Sequence, residues 1–232
     1  MNDTKRKVLV FNGSPKKEGS DTMHLTRAFL AGMEESSQNE IEIIHIAEKH
    51  IEFCSGCLGC MRNGGQCIHQ DDMGVILEKI LDADLIIWSF PLYYYGMPAM
   101  MKKLIERMLP MNSLQMKKVG EHYEHLLQKE GKFNQHMMIC GCGFPNATHN
   151  FETAVEHFKR MLGENAICIT VPETPLLNQP TAEPYTAPFL AAVKQAGNEY
   201  GKSESIPVEI MGRLAIPMIP DEIYAQIVNG NV

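Results

Sequence analysis

The sequence predicts an α/β domain with a parallel sheet and helices on both faces. Three observations lead there. Short β-rich runs alternate with stretches of helical periodicity; most of those runs are bounded by Gly, Pro, Asn or Asp; and 232 residues with 44% hydrophobic content suffice for one sizeable core. A single domain over residues 1–232 is expected, with residues 172–232 as its proline-rich C-terminal extension.

The first strand is read over Lys7–Phe11. A helix follows over Asp21–Glu35, with Leu25, Phe29, Leu30 and Met33 at apolar spacing. Glu40–Ile46 is the second strand, and a helix over Asp72–Leu81 opens with a carboxylate able to cap it and carries Val75, Ile76, Ile80 and Leu81. Leu85–Phe90 is the third strand, followed by a helix from Pro98 to Met108. Pro110–Phe133 reads as an insertion holding a polar helix. The fourth and fifth strands are His136–Cys140 and Ala166–Val171, separated by a helix over Phe151–Leu162. Pro172, Pro175, Pro180, Pro184 and Pro188 then end the sheet. A helix is read over Pro184–Gln195, and a short capped one within Pro217–Val228 puts Ile223, Tyr224, Ile227 and Val228 on one side, to dock on its own domain or a partner subunit.

Composition excludes several classes. A net charge of −7 disfavours a nucleic-acid backbone as partner, and no apolar run reaches membrane-spanning length. Seven cysteines, an odd number, and a start at Met1 that runs into a strand without a signal-type apolar region argue against secretion. A reducing cytoplasm is the expected compartment.

Three loops carry the chemistry. Phe11-Asn-Gly-Ser-Pro-Lys-Lys-Glu-Gly-Ser-Asp-Thr22 lies between the first strand and a helix, where outward N–H groups and the hydroxyls of Ser14, Ser20 and Thr22 suit an anion. It matches neither the P-loop nor the dinucleotide pattern. A mononucleotide phosphate fits better; an ordinary capped βα turn, with Ser20 or Asp21 as N-cap, is the plain alternative. The third strand ends in Trp88-Ser-Phe-Pro-Leu-Tyr-Tyr-Tyr-Gly-Met-Pro98 and the fourth in Cys140-Gly-Cys-Gly-Phe-Pro-Asn146. Both loops sit at carboxyl ends of strands, the edge where open α/β sheets hold ligands. Pro91, Leu92, Tyr93, Tyr94 and Gly96 offer backbone and aromatic edge to a flat ring, and Gly141 and Gly143 permit close approach from the other side. One flat heterocycle with one phosphate means FMN. The competing role for the tyrosines is a surface or subunit contact.

Four cysteines, Cys54, Cys57, Cys60 and Cys67, fall within fourteen residues in a loop softened by Gly56, Gly59, Gly64 and Gly65. Two successive C-x-x-C steps gather three sulfurs on one side of a tight wrap, as an iron-sulfur cluster needs. A zinc site, a disulfide pair and reduced packed thiols remain open alternatives.

Taken together, G-S-P-x-x-x-G-S-x-T, the cysteine loop leading into Asp71-Asp72-Met73, and Pro91-Leu-Tyr-Tyr-Tyr followed by Lys103-Leu-Ile-Glu-Arg107 resemble the flavodoxin-like NAD(P)H-dependent FMN reductases. Within them the cysteine run is similar to that of the iron-sulfur flavoproteins. The resemblance covers Lys7 to Val171. It implies a flavodoxin-like three-layer α/β/α sandwich with a five-stranded parallel sheet in the order 2-1-3-4-5, phosphate contacts on Ser14, Lys16, Ser20 and Thr22, and ring contacts on Pro91, Leu92, Tyr93, Tyr94, Gly96, Gly141 and Gly143. It also implies a homodimer or homotetramer. Ser20 stands where relatives often carry asparagine, and Glu106 replaces a common aspartate. The activity implied is electron transfer from NAD(P)H through FMN to a small acceptor: a quinone, a nitro or azo compound, or free flavin. No side chain is assigned a proton-transfer role. Two other readings stand beside it: an electron carrier in which Cys54, Cys57, Cys60 and Cys67 hold a [4Fe-4S] cluster between FMN and ferredoxin, and a sensory module that uses the thiols as a switch. The nine histidines show no metal or nucleophile-base spacing, and most of the sixteen methionines read as core filling.

Overall fold

The computed structural model describes residues 5–129, 131, 132 and 134–230. In chain order its strands are β1 (Arg6–Asn12), β2 (Asn39–His45), β3 (Leu85–Pro91), β4 (Asn112–Val119), β5 (His122–Leu127), β6 (Gln135–Gly141) and β7 (Ile167–Val171). The α-helices are α1 (Asp21–Glu34), α2 (Met73–Asp82), α3 (Ala99–Glu106), α4 (Glu152–Leu162), α5 (Glu183–Ser203), α6 (Val208–Leu214) and α7 (Asp221–Val228).

Five strands form one parallel sheet in the order β2-β1-β3-β6-β7. With the two hairpin strands set aside, this is the order 2-1-3-4-5. Val8 pairs with Ile41 on one side and Leu85 on the other, and Met137 pairs with Ile167 at the far edge. Successive side chains of a strand face opposite ways, so each strand feeds two cores. Val8, Val10, Ile87, Ile139 and Ile169 pack under α1, α5 and α6 with Leu25, Phe29, Val193, Tyr200 and Leu214. Leu9, Phe11, Ile86, Trp88 and Met138 pack under α2, α3 and α4 with Ile76, Ile80, Leu104 and Phe158. Each fully buried large side chain contributes about 1.5–3 kcal/mol relative to exposure.

Helices α1 and α5 cross at two glycines. A Cβ at Gly32 would lie 1.8 Å from Lys194 O and one at Gly197 1.9 Å from Phe29 O, so only glycine lets the two backbones meet there. This contact lengthens α5 beyond its predicted end at Gln195, because Phe189, Val193, Ala196 and Tyr200 continue one buried stripe along it. Pro184 occupies its first turn, where a missing N–H costs nothing, and Pro188 is carried within it. The predicted extension therefore supplies a helical layer of the sandwich. Helix α6 was not foreseen.

The insertion departs from the expectation of a polar helix. It is an antiparallel hairpin, with Lys117 opposite Glu124 and Val119 opposite His122 around the Gly120–Glu121 turn. Gly120 has φ +58, the left-handed geometry that tight hairpin turns demand. Leu114, Met116 and Lys118 alternate along one strand, and Tyr123, His125 and Leu127 along the other, a period of two that the polar composition masks. Gln128 anchors its base, donating from Nε2 to Cys60 O at 3.0 Å. Phe133, the expected end of the insertion, and Met1–Thr4 lie outside the described residues. Among the described residues no helix is long and apolar enough to cross a membrane.

Candidate functional site

The loop after β1 is pinned by the last strand residue. Buried Asn12 accepts the Ser14 N–H at Oδ1 (3.0 Å), donates from Nδ2 to Lys17 O (2.8 Å) and meets His45 Nδ1 at 2.9 Å. Lys17 takes a left-handed φ of 53 within this fold-back. Ser14 Oγ accepts the Lys16 N–H at 3.2 Å. Ser20 Oγ and Thr22 Oγ1 stand 2.8 Å apart and are buried, as is Ser14. No side chain caps α1, so its first N–H groups are left for an anion at the positive end of the helix. Lys16 Nζ is exposed and lies 3.5 Å from Asp21 Oδ2. Asn178, from the turn after β7, donates to Asp21 Oδ1 and to Gly19 O, closing the loop from the other side.

The loops after β3 and β6 are tied together: the Leu92 N–H donates to Gly141 O at 2.7 Å. Tyr93 and Gly96 exchange backbone bonds of 3.0 and 3.1 Å around Tyr94 and Tyr95, both left-handed at φ 47 and 62. A two-residue turn of this kind normally uses glycine or asparagine, so two tyrosines there store strain. The turn throws Tyr94 fully into solvent (101% relative exposure). Tyr95 instead stacks on Phe144, ring centroids 6.2 Å apart at 12°. That pair joins the two loops. The sequence offered only the signal of an aromatic in each loop.

Gly141 and Gly143 face the segment after β7. A Cβ at Gly141 would meet Thr174 at 2.5 Å, and Gly143 O accepts the Tyr224 hydroxyl at 3.1 Å, docking α7 beside the loop. Behind them lies Glu173, 0% exposed and left-handed at φ 56. Its Oε2 accepts the N–H groups of Met218 (2.6 Å) and Ile219 (3.2 Å), while Oε1 has no partner among the described residues. Burial raises this carboxyl above its ordinary value despite those two donors.

The cysteine loop sits at the C-terminal end of α3. Cys60 is buried, Cys54 and Cys67 half-buried and Cys57 exposed, all free thiols. The Gly59 N–H and the Ser55 hydroxyl pull the Cys57 thiol down; burial, with Cys67, Cys54 and Cys57 nearby, pushes Cys60 up. Among the described residues no three His, Cys, Asp or Glu side chains close on one metal-binding point. Under the loop lies an ion pair. Arg107, 2% exposed, binds Asp71, 1% exposed, through Nη1 (2.6 Å) and Nη2 (3.0 Å). It also donates from Nη1 to Glu52 O at 2.9 Å and from Nη2 to Cys67 Sγ at 3.6 Å. Burial alone would raise the Asp71 carboxyl; the guanidinium and the N–H groups of Glu52 and Met73 hold it at about 2. The expected Asp72 cap of α2 is not made: Asp72 Oδ2 accepts the His50 N–H at 2.7 Å, and Asp71 Oδ1 accepts that of Met73 at 3.1 Å. Lys103 lies over the Phe53 ring, 5.3 Å from its centroid.

A match to the flavodoxin-like fold family runs over residues 6–167, most of the chain. The chain belongs to this family. Among its curated relatives, an iron-sulfur flavoprotein of Archaeoglobus fulgidus is 31% identical over 150 residues, 64% of this chain and 61% of the relative. An iron-sulfur flavoprotein of Methanocaldococcus jannaschii is 38% identical over 105 residues, 45% of this chain and 53% of the relative. The chain thus spans about half to three fifths of the length of these flavodoxin-like relatives. Of solved structures, an FMN-dependent NADH-azoreductase from Bacillus anthracis in complex with FMN aligns with a TM-score of 0.56 at 18% identity, over 91% of this chain and all of that one. An NAD(P)H:quinone oxidoreductase from Methanothermobacter marburgensis aligns at 0.59 and 14%, over 87% of this chain and all of that one. At such identity the likeness is one of fold.

Proposed function

We propose that residues 1–232 form one FMN-binding domain that carries electrons from NAD(P)H to a small acceptor. One observation carries this reading: the buried Ser20–Thr22 hydroxyl pair at the uncapped start of α1 lies at the same sheet edge as the tied loops after β3 and β6, in a chain whose relatives are named flavoproteins. Ser14, Lys16, Ser20 and Thr22 hold the phosphate, with two hydroxyls and the first-turn N–H groups as donors and Lys16 as a mobile counter-charge. Pro91, Leu92, Tyr93, Tyr94, Gly96, Gly141 and Gly143 border the ring. FMN held there would supply two-electron redox chemistry between NAD(P)H and a quinone, a nitro or azo compound, or free flavin. The protein's part is to orient: the Leu92–Gly141 bond fixes the spacing of the two loops, and the Tyr95–Phe144 stack stiffens them. This reading also places the protein in the cytoplasm as a homodimer or homotetramer.

The test is kinetic. With one ring-binding edge, donor and acceptor take turns, so double-reciprocal plots against a quinone or nitro acceptor are expected to run parallel. Intersecting lines would contradict a shared site.

A specific observation favours a second element of the reading, a [4Fe-4S] cluster on Cys54, Cys57, Cys60 and Cys67. Two buried nitrogens beside that loop have no partner among the described residues: Arg107 Nε, an N–H donor, and the ring nitrogen His69 Nε2. Cluster sulfurs accept from such donors, and four thiols beside the spare Arg107 Nε–H are a suitable shell. In that case the chain serves as an electron carrier between FMN, cluster and ferredoxin. Anaerobic protein that binds FMN and iron yet leaves NADH and NADPH unoxidised would select the carrier role.

A further inference from the structure

Arg107 does more than the pairing with Asp71 requires. A brace for the loop could be made by any cation that reaches Asp71. Arg107 meets that carboxylate end-on, through Nη1 and Nη2, which leaves the other edge of the guanidinium, Nη2 and Nε, free to face elsewhere. Along that edge the outer Nη2–H and the Nε–H are parallel, because the fork is planar. The first reaches Cys67 Sγ at 3.6 Å, and the second is buried with no acceptor among the described residues. His69, two residues beyond Cys67, has a buried ring nitrogen without a partner at Nε2. The Asp71 carboxylate, itself bound by the N–H groups of Glu52 and Met73, fixes the plane of the guanidinium, so the free edge has one orientation only.

We propose that Arg107 is a positioning and tuning residue of the iron-sulfur site, holding Cys67 through Nη2–H and presenting Nε–H to a cluster sulfur on the same edge. This rests on the cluster reading above. The electrical consequence follows from charge. The [4Fe-4S] centre gains one electron on reduction and its sulfurs become more negative, so N–H donors bound to them favour the reduced state and raise the potential. Asp71 neutralises the distant field of the cation, which leaves the two N–H dipoles as the local influence.

The experiment compares full-length wild type, Arg107→Lys and Arg107→Gln, all reconstituted anaerobically with iron, sulfide and FMN. Three quantities are read: FMN per chain, iron and sulfide per chain, and the one-electron midpoint potential of the cluster by mediated titration with detection by electron paramagnetic resonance. FMN and iron are expected at wild-type levels, with the reduced-to-oxidised ratio at a fixed potential lower by about tenfold in the Gln variant, a shift of about 59 mV for one electron. The Lys variant, which keeps the charge and a single donor, falls between. Wild-type iron with an unchanged potential in both variants overturns the proposal. Loss of iron from both variants marks a structural brace and also overturns it. If only the Gln variant fails to hold iron, the potential of the Lys variant decides in the same way. A wild-type chain that takes up no iron ends the cluster reading itself, so the two failures are distinguishable.

Discussion

Replacing Ser20 and Thr22 together by alanine tests the phosphate site most directly. Both hydroxyls are buried, and they bond to each other at 2.8 Å. A hydrogen bond to a charged acceptor contributes about 1.5–3 kcal/mol, so two donors to a phosphate give about 3–6 kcal/mol. Binding must redirect at least one hydroxyl from its partner, which offsets about 1 kcal/mol, a typical neutral bond. The net loss is about 2–5 kcal/mol, or about thirtyfold at the low end and over a thousandfold at the high end. Neither alanine strands a partner, because each hydroxyl's partner is the other and both are removed together; the fold is therefore spared the penalty of a buried orphan. Isothermal titration with FMN and with riboflavin separates the phosphate from the ring. FMN affinity should fall by the stated factor while riboflavin affinity stays within about threefold. An FMN affinity unchanged in the double variant, or a riboflavin affinity that falls in parallel, would refute the placement of the phosphate at Ser20 and Thr22.

Three further expectations follow from packing and charge. Gly197→Ala puts a methyl 1.9 Å from Phe29 O, so denaturant titration should show a loss of about 3 kcal/mol or more, whereas Gly212→Ala, with nothing within 4 Å, should gain about 0.5–1 kcal/mol. Glu173 has a folded-state pKa above its ordinary 4.5, so its contribution is fully present below pH 4.5 and is lost as pH rises through the raised value. Glu173→Gln should accordingly be less pH-sensitive, and the difference in Tm between wild type and variant should move in the variant's favour from pH 4 to 7; a constant difference would contradict this. Cys57→Ser should abolish iron binding after anaerobic reconstitution and leave FMN stoichiometry intact, as checked by iron assay and flavin release; retained iron would show that Cys57 is no ligand.

What the sequence made legible is what local pattern controls. The five sheet strands lie within a residue or two of their predicted limits, because runs such as Leu85–Phe90 are hydrophobic on both faces and bounded by Asp84 and Pro91. The hairpin was misread because it is exposed: with no buried face, no alternation of burial marks its strands, and its charged residues look helical. Helix α5 runs beyond the expected Gln195 through Gly197 and Gly201, whose contacts with Phe29 and Met33 of α1 are remote in sequence. The loops after β1, β3 and β6 were legible as loops at strand ends. Their cross-links were not. The Leu92–Gly141 bond and the Tyr95–Phe144 stack join two of the loops, and the Tyr224–Gly143 bond spans 81 positions; none leaves a trace in local spacing.

The glycine crossing of α1 and α5 also has a temporal side. Gly32 and Gly197 are about 165 positions apart in sequence, so the part of the sheet face that α5 covers stays uncovered until α5 itself has been made. Contacts this remote form slowly, since a long loop must close before any of them is gained. Until then Ile139, Ile169 and Val171 have α1 beside them but lack the side chains of α5 and α6 that complete their core. This is the interval in which such a chain is most prone to aggregate or to need a chaperone. A substitution that loosens the crossing would therefore show itself first as lower soluble yield, before any change in the ligand-binding edge could be measured.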